Sequence, residues 1–274
     1  MDRRIVMSIE LQPTTAMFPG LMIHKAMEAI DELRKEYMQL GRQCVQICPQ
    51  SYGVFTEDTA RNLAQRYPDV AFQLHSNVRI SLGKQPVHAN SRGAWAEQYL
   101  KEYDQLSKVL GASVYSLHAG ERKESSLEEM FDIVREWNSR YRTTIAVEGM
   151  YPDRRQRYLL SSWDEYARLL EANIPFAIDV SHLNIVAHIE GRRELELTAE
   201  LLRHANCMEI HVSSNRGRAD SHRPIPDIER EWWYPALLQK NRSAWIFAEE
   251  NYALWWKQYQ SERGSQQRTG HARY

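Results

Sequence analysis

Long apolar runs are missing from this chain. None reaches the roughly 18 residues that a membrane-spanning helix needs, and the opening Met-Asp-Arg-Arg-Ile-Val-Met-Ser-Ile-Glu breaks its apolar stretch at Glu10, too soon for a signal peptide. A cytoplasmic protein with no membrane partner is therefore expected. Cysteine is scarce: Cys44, Cys48 and Cys207 are odd in number, and Cys44 and Cys48 would stand about 13 Å apart along an extended strand at ~3.3 Å per residue, beyond disulfide reach. All three are expected to be reduced thiols in the core. An excess of charge of either sign is lacking too, since 35 Lys and Arg face 36 Asp and Glu, a formal net charge of -1. That balance supplies no global attraction to a polyanion, so nucleic acid stays open as a partner but is not favoured. Nothing resembles an interdomain linker. One domain is expected over 1–260, with the polar, aperiodic 261–274 as a flexible tail.

Against these absences stands ample core material, 43% hydrophobic residues with 26% charged. Apolar runs of strand length recur at regular intervals: Ile5–Leu11, Cys44–Cys48, Val70–His75, Ser113–His118, Thr143–Glu148, Pro175–Asp179, Cys207–His211 and Ala244–Glu249. Between them the apolar spacing turns helical, as from Ala94 to Leu110 (Trp95, Tyr99, Leu100, Tyr103, Leu106, Val109, Leu110) and from Leu127 to Trp137. Gly111 marks a helix end, and Ser162 followed by Glu165 suggests a capping box. The least marked unit is the second strand with its helix from Glu57 to Gln65. Strand and helix in alternation imply parallel strands joined by right-handed crossovers, and eight such units predict a single (β/α)8 barrel of the α/β class. The rival open sheet would carry a Gly-rich nucleotide loop after its first strand, which Pro13-Thr-Thr-Ala-Met-Phe-Pro-Gly20 is not.

Aligned by their apolar runs, strands three to eight end in His75, His118, Glu148, Asp179, His211 and Glu249. In a barrel those ends share the C-terminal face, where active sites of this architecture are built. The loops beyond add His182 after strand six, and Asp220 and His222 after strand seven. Any one of these is more often a satisfied core residue than a ligand. Five imidazoles and four carboxylates in one cavity would instead carry a heavy desolvation and repulsion cost, which divalent cations remove. Mixed nitrogen and oxygen donors suit zinc, manganese or iron rather than calcium, and nine donors can serve two or three ions if a carboxylate bridges. The neighbouring pair at the end of strand eight is resolved by alternation, which points Glu249 inward and Glu250 toward the helices.

The blocks Leu74-His75-Ser-Asn-Val-Arg-Ile-Ser-Leu-Gly83, Leu117-His118-Ala-Gly120, Val147-Glu148-Gly149, Ile178-Asp179-Val-Ser-His182, Ile210-His211-Val-Ser, Asp220-Ser-His222 and Ala248-Glu249 resemble the endonuclease IV type of apurinic endonucleases, within the wider xylose-isomerase-like barrels. The resemblance runs from about Leu74 to Asn251 and keeps order as well as identity. It implies three zinc sites: His75, His118 and Glu148; then Glu148 as a bridge with Asp179, His211 and Glu249; then His182, Asp220 and His222. It also implies catalysis centred on Glu148, Asp179 and Glu249. The parts that read DNA in that family differ here. Val78 and Arg79 stand where it inserts a tyrosine and a leucine, Ser213-Ser-Asn replaces an Asn-Asp-Ser-Lys type stretch, and Met150-Tyr-Pro-Asp-Arg-Arg-Gln-Arg157 replaces a Gly-rich insertion.

Arginines crowd the same face. Arg79, with Lys84, follows strand three, Arg154, Arg155 and Arg157 follow strand five, and Arg216, Arg218 and Arg223 follow strand seven. Guanidinium grips phosphate with two parallel hydrogen bonds, so Arg79, Arg154, Arg155, Arg216, Arg218 and Arg223 are the candidate substrate-binding residues. The leading expectation is metal-assisted hydrolysis of a phosphate ester, on a small phosphorylated molecule rather than duplex DNA. A sugar or sugar-phosphate isomerase or epimerase is the second reading, which needs only Glu148, Asp179, His211 and Glu249 around one ion. The third is a multinuclear iron oxidase acting on a peptide or small molecule. His88 and His188 are expected near this face. Trp232, Trp233, Trp255 and Trp256 are expected to pack outer helices rather than stack bases.

Overall fold

Eight short strands, each buried on both faces, set the architecture, and a computed structural model describes residues 9–37, 39–80 and 86–270 of the chain. The elements run β1 (Gln12–Pro13), α1 (Ile23–Leu33), β2 (Cys44–Ile47), α2 (Glu57–Arg66), β3 (Ala71–His75), α3 (Ala94–Leu110), β4 (Val114–His118), α4 (Leu127–Arg140), β5 (Thr144–Glu148) and α5 (Trp163–Ala172). They continue with β6 (Phe176–Asp179), α6 (Val180–Glu190), α7 (Leu195–Arg203), β7 (Cys207–Val212), α8 (Tyr234–Leu237), β8 (Trp245–Ala248) and α9 (Ala253–Gly270). The sheet order is β1-β8-β7-β6-β5-β4-β3-β2, parallel throughout. A parallel bridge from Thr14 to Gln46 joins β1 to β2 across the remaining seam. The chain is a (β/α)8 barrel, as the alternating pattern predicted.

Period-two alternation builds two layers from one strand. In β5, Ile145 and Val147 join the continuous apolar cluster with Phe131 and Val134 of α4 and Tyr166 and Leu169 of α5. Each such fully buried side chain contributes about 1.5–3 kcal/mol. Ala146 and Glu148 take the other face, toward the barrel axis. The helices are anchored locally: Ser126 and Glu129 form a complete capping box on α4, and Gly111 ends α3 in the left-handed region at φ 74°. No helix among the described residues is long and apolar enough to cross a membrane. The three cysteines are free and buried.

Some expectations shift. The pattern places the first strand at Ile5–Leu11, of which 5–8 lie outside the described residues, whereas the observed strand is Gln12–Pro13. Its register is set by polar side chains that a hydrophobic pattern cannot see: Gln12 Oε1 accepts from Cys44 N at 3.0 Å, and Thr14 Oγ1 donates to Ala248 O at 2.9 Å. At Ser162 only half of the capping box forms. Ser162 Oγ accepts from Glu165 N at 3.4 Å, but the Glu165 carboxylate turns to Arg122 at 2.6 and 2.8 Å. A bidentate ion pair outcompetes the reach back to the cap. Helix α9 continues to Gly270, into the stretch read as an aperiodic tail, while His271 lies outside the described residues. Trp233 and Trp256 are buried, and Trp255 stacks on Tyr259, so these rings pack the outer layer.

Candidate metal centre

Parallel pairing brings the polar strand ends side by side. His118 of β4 is level with Glu148 of β5, and Asp179 of β6 with His211 of β7. His75 ends β3, and Glu249 follows β8 with its backbone N–H still bonded to Val212 O at 2.9 Å. His75, Glu148, Asp179, His182, His211 and Glu249 are all buried. His182, expected in a loop, instead lies in the first turn of α6. Asp179 is the N-cap of that helix, with Oδ1 accepting from Ser181 N at 2.6 Å and His182 N at 3.4 Å. The cap fixes both donors at once, because its oxygen satisfies the helix N-terminus while the histidine rises one turn later on the same side.

Around Glu148 the contacts are close. Its Oε2 lies 2.9 Å from His75 Nε2, 3.7 Å from His118 Nε2 and 3.7 Å from His211 Nδ1, and its Oε1 is 3.7 Å from His182 Nδ1. Glu249 reaches His211 Nδ1 at 3.6 Å, His222 Nδ1 at 3.6 Å and His75 Nε2 at 3.9 Å. His182 Nε2 stands 3.4 Å from Asp179 Oδ2 and 3.6 Å from Asp220 Oδ2, and Asp220 Oδ2 is 2.8 Å from His222 Nε2. All nine predicted residues therefore converge. The loop bearing Asp220 and His222 is pinned by a Ser214–Arg223 antiparallel bridge and by Asn251 N donating to His222 O at 2.8 Å. His222 itself holds φ 43°, a left-handed conformation that costs a non-glycine residue about 1–3 kcal/mol and clusters at functional sites.

The electrostatics are those of acids balanced by imidazoles. Burial works against the charged form of His182, but the carboxylates of Asp179 and Asp220 outweigh it and raise the ring to about 10. His222 is raised to about 9, with burial opposed by its bond to Asp220 and the charge of Glu249. Burial pushes Asp179 up to about 6 and pulls His118 down to about 3. Glu148, despite burial, is held well below the usual carboxylate range by His118, His211 and His75. Buried Asp179 Oδ2, His211 Nδ1 and His222 Nδ1 have no hydrogen-bond partner among the described residues. Each faces the common space, and unpartnered donors of this kind fit a cation, for which His75, Glu148 and His211 form one suitable group and Glu148, Asp179 and His182 another. Glu250 points away: it accepts from Ile225 N at 2.8 Å and from the Tyr252 hydroxyl.

The arginines divide. Arg79, Arg154, Arg155, Arg216, Arg218 and Arg223 are exposed and make no ion pair among the described residues. Arg157 is committed to Asp153 at 2.6 Å and Glu121 at 3.6 Å, and lies over the Tyr158 ring. Lys84 lies outside the described residues. Arg216, Arg218 and Arg223 line a hollow of about 780 Å³ with His188 and Ser221. His88 stacks on His118 at 6.3 Å, and Tyr151 packs on His182 at 4.8 Å. Sequence reasoning missed Tyr151, and also Gln46 and Glu209, which underlie His211. The position of Glu209, two residues before a predicted ligand in a strand, was the available signal.

No protein-family model matches the sequence, and no curated protein matches it. Solved structures do match its fold. A D-tagatose 3-epimerase-like protein superposes with TM-score 0.61 at 17% identity, over 93% of this chain and 96% of that one. An AP endonuclease of family 2 from Brucella melitensis gives 0.58 at 14%, over 89% and 93%. A xylose isomerase domain protein from Planctomyces limnophilus gives 0.53 at 13%, over 94% and 97%.

Proposed function

We propose that this barrel is a multinuclear metal-dependent enzyme that hydrolyses a phosphate ester, with endonuclease IV-like chemistry directed at a small phosphorylated substrate. The observation that carries this reading is the run of contacts from Asp179 to His182, from His182 to Asp220 and from Asp220 to His222, a group that isomerisation at a single ion leaves without a task. His75, His118 and Glu148 would hold one ion, Glu148, Asp179, His211 and Glu249 a second, and His182, Asp220 and His222 a third. Zinc is the first choice for these donors, and manganese or iron accept the same set. When bound, such ions supply Lewis acidity that polarises a water for in-line attack at phosphorus and offsets charge on the leaving oxygen.

The chain's own residues do the rest. Glu148 directs Oε2 at His75, His118 and His211 and Oε1 at His182, so it spans two ligand groups. Tyr151 covers the His182 ring and keeps water from that edge. Arg154, Arg155, Arg216, Arg218 and Arg223, with Arg79, make no ion pair among the described residues and would present guanidinium to an anionic substrate at the rim.

A second reading, sugar isomerase or epimerase, draws on Glu148 Oε2 and Glu249 Oε1 lying 2.9 and 3.9 Å from one nitrogen, His75 Nε2. Two glutamates flanking one centre suit proton transfer. The readings separate by experiment. Protein purified without chelator should contain at least two tightly held transition metals per chain. It should cleave simple phosphodiesters or phosphorylated sugars in assays that score phosphate release, strand cleavage of abasic-site DNA and sugar isomerisation separately. One ion or none, or isomerisation that survives His222→Ala, refutes the phosphoesterase. So does oxygen consumption by an iron-loaded form.

A further inference from the structure

Beneath the proposed ions the barrel holds a carboxylate that none of the ligand groups uses. Glu209 lies on β7 two residues before His211, so both side chains enter the barrel, Glu209 one layer deeper. It is fully buried. Its Oε2 accepts from Gln46 Nε2 of β2 at 2.9 Å and stands 3.5 Å from His211 Nε2. Its Oε1 has no hydrogen-bond partner among the described residues, where its one ion-pair contact is that imidazole. Gln46 Nε2 is also 3.2 Å from His211 Nε2 and 3.4 Å from Ser116 Oγ of β4. Glu209 and Gln46 thus reach the lower nitrogen of one ring, and Ser116 of β4 backs the Gln46 amide.

A buried carboxylate persists only where donors face it. The imidazole N–H is the donor in reach that an ion above would leave in place. With hydrogen on Nε2, the Nδ1 lone pair is bare, and Nδ1 lies 3.7 Å from Glu148 Oε2 and 3.6 Å from Glu249 Oε1 without a hydrogen-bond partner among the described residues. The opposite tautomer would let Nε2 accept from Gln46 Nε2, but it would set the same lone pair against the Glu209 carboxylate and block Nδ1 with hydrogen, so an ion on Nδ1 selects the Glu209 contact.

We propose that Glu209 is a positioning residue that accepts Nε2–H of His211, turning Nδ1 toward Glu148 and Glu249 as a metal donor, with Gln46 bracing the carboxylate. The proposal rests on the metal reading above only for what Nδ1 binds. An outer carboxylate of this kind fixes the tautomer and raises the basicity of a ligating histidine, and its loss weakens metal binding by roughly 10–100-fold.

The test uses the full chain with zinc as the probe, in competition with a chromophoric chelator, comparing wild type with Glu209→Gln and Gln46→Met. One zinc should bind roughly 10–100-fold more weakly in Glu209→Gln, with a smaller loss in Gln46→Met. The chelated Glu209→Gln chain should unfold at the parent temperature or above it, since a half-satisfied buried charge has gone. Unchanged zinc affinity, with earlier unfolding of the chelated variant, would make Glu209 a packing residue and overturn the proposal. If Glu209→Gln does not fold, Gln46→Met decides, and parental zinc affinity there overturns it. A ¹⁵N-histidine NMR measurement on the chelated chain separates the two readings, with His211 assigned by its loss in His211→Asn. Failure of wild type to take up zinc sinks the metal reading, whereas hydrogen on Nε2 that depends on Glu209 upholds the positioning contact and its absence refutes it.

Discussion

Gly149→Ala tests whether the strand-five end is built by close approach. A Cβ on Gly149 would stand 2.6 Å from Tyr166 Cζ and closer still to Cε1 and the hydroxyl. Tyr166 cannot step aside freely, because it is fully buried and its hydroxyl donates to Met150 O at 2.7 Å. Forcing the ring outward costs about 1–3 kcal/mol for overpacking, and losing the hydroxyl bond adds about 1 kcal/mol. The metal-free variant should therefore lose about 2–4 kcal/mol, a fall in unfolding temperature of roughly 5–10 °C. A second consequence reaches the centre, because Gly149 O lies 2.8 Å from His182 Nδ1, a contact that leaves Nε2 facing Asp179 and Asp220. A displaced carbonyl should weaken zinc binding roughly tenfold, the lower end of what outer contacts are worth. The assays are thermal unfolding of chelated protein and a zinc titration, each repeated in a Tyr166→Leu background. With the ring removed, the alanine should cost under about 1 kcal/mol, the difference measuring the coupling. Equal cost in both backgrounds, or no cost in either, would refute the steric argument.

Adjacent glutamates should separate in function. Glu249→Gln should lower metal occupancy and activity together, whereas Glu250→Gln should keep its metal and lose about 1–2 kcal/mol through the Ile225 N–H contact it satisfies; the reverse pattern in elemental analysis would place β8 one residue out of register. Stability should also depend on acid through Asp104, far from the centre. Burial raises its carboxyl, but Lys108 and the Thr143 N–H and hydroxyl lower it further. A depressed carboxyl contributes stability that is whole above the unfolded value of about 3.9 and is lost as pH falls through the folded one. Chelated Asp104→Asn should therefore be less stable than its parent by about 1 kcal/mol at pH 7. Chemical denaturation at a series of pH values should show the gap closing below about pH 4, and a gap independent of pH would refute the ion's role.

Much of this protein was legible in one dimension because a barrel turns strand order into geometry. Once six apolar runs are aligned, His75, His118, Glu148, Asp179, His211 and Glu249 must share one face, since parallel strands all end there and side chains alternate with period two. Alternation alone separated Glu249 from Glu250. The first strand escaped the same logic, because Gln12 and Thr14 hold it through polar side chains bonded to Cys44 and Ala248, and a hydrophobic pattern registers neither. The place of His182 also escaped, since Asp179 serves as a helix cap and a strand end at once. Arg157 counted as a free cation until its partners Asp153 and Glu121 came into view, one four residues away and the other in a different loop. The bond between Gln46 and Glu209 spans 163 residues of sequence. Local propensity carries no information about such a pair: only closure of the sheet, which brings β2 and β7 to the same axis, made Glu209 the residue beneath His211.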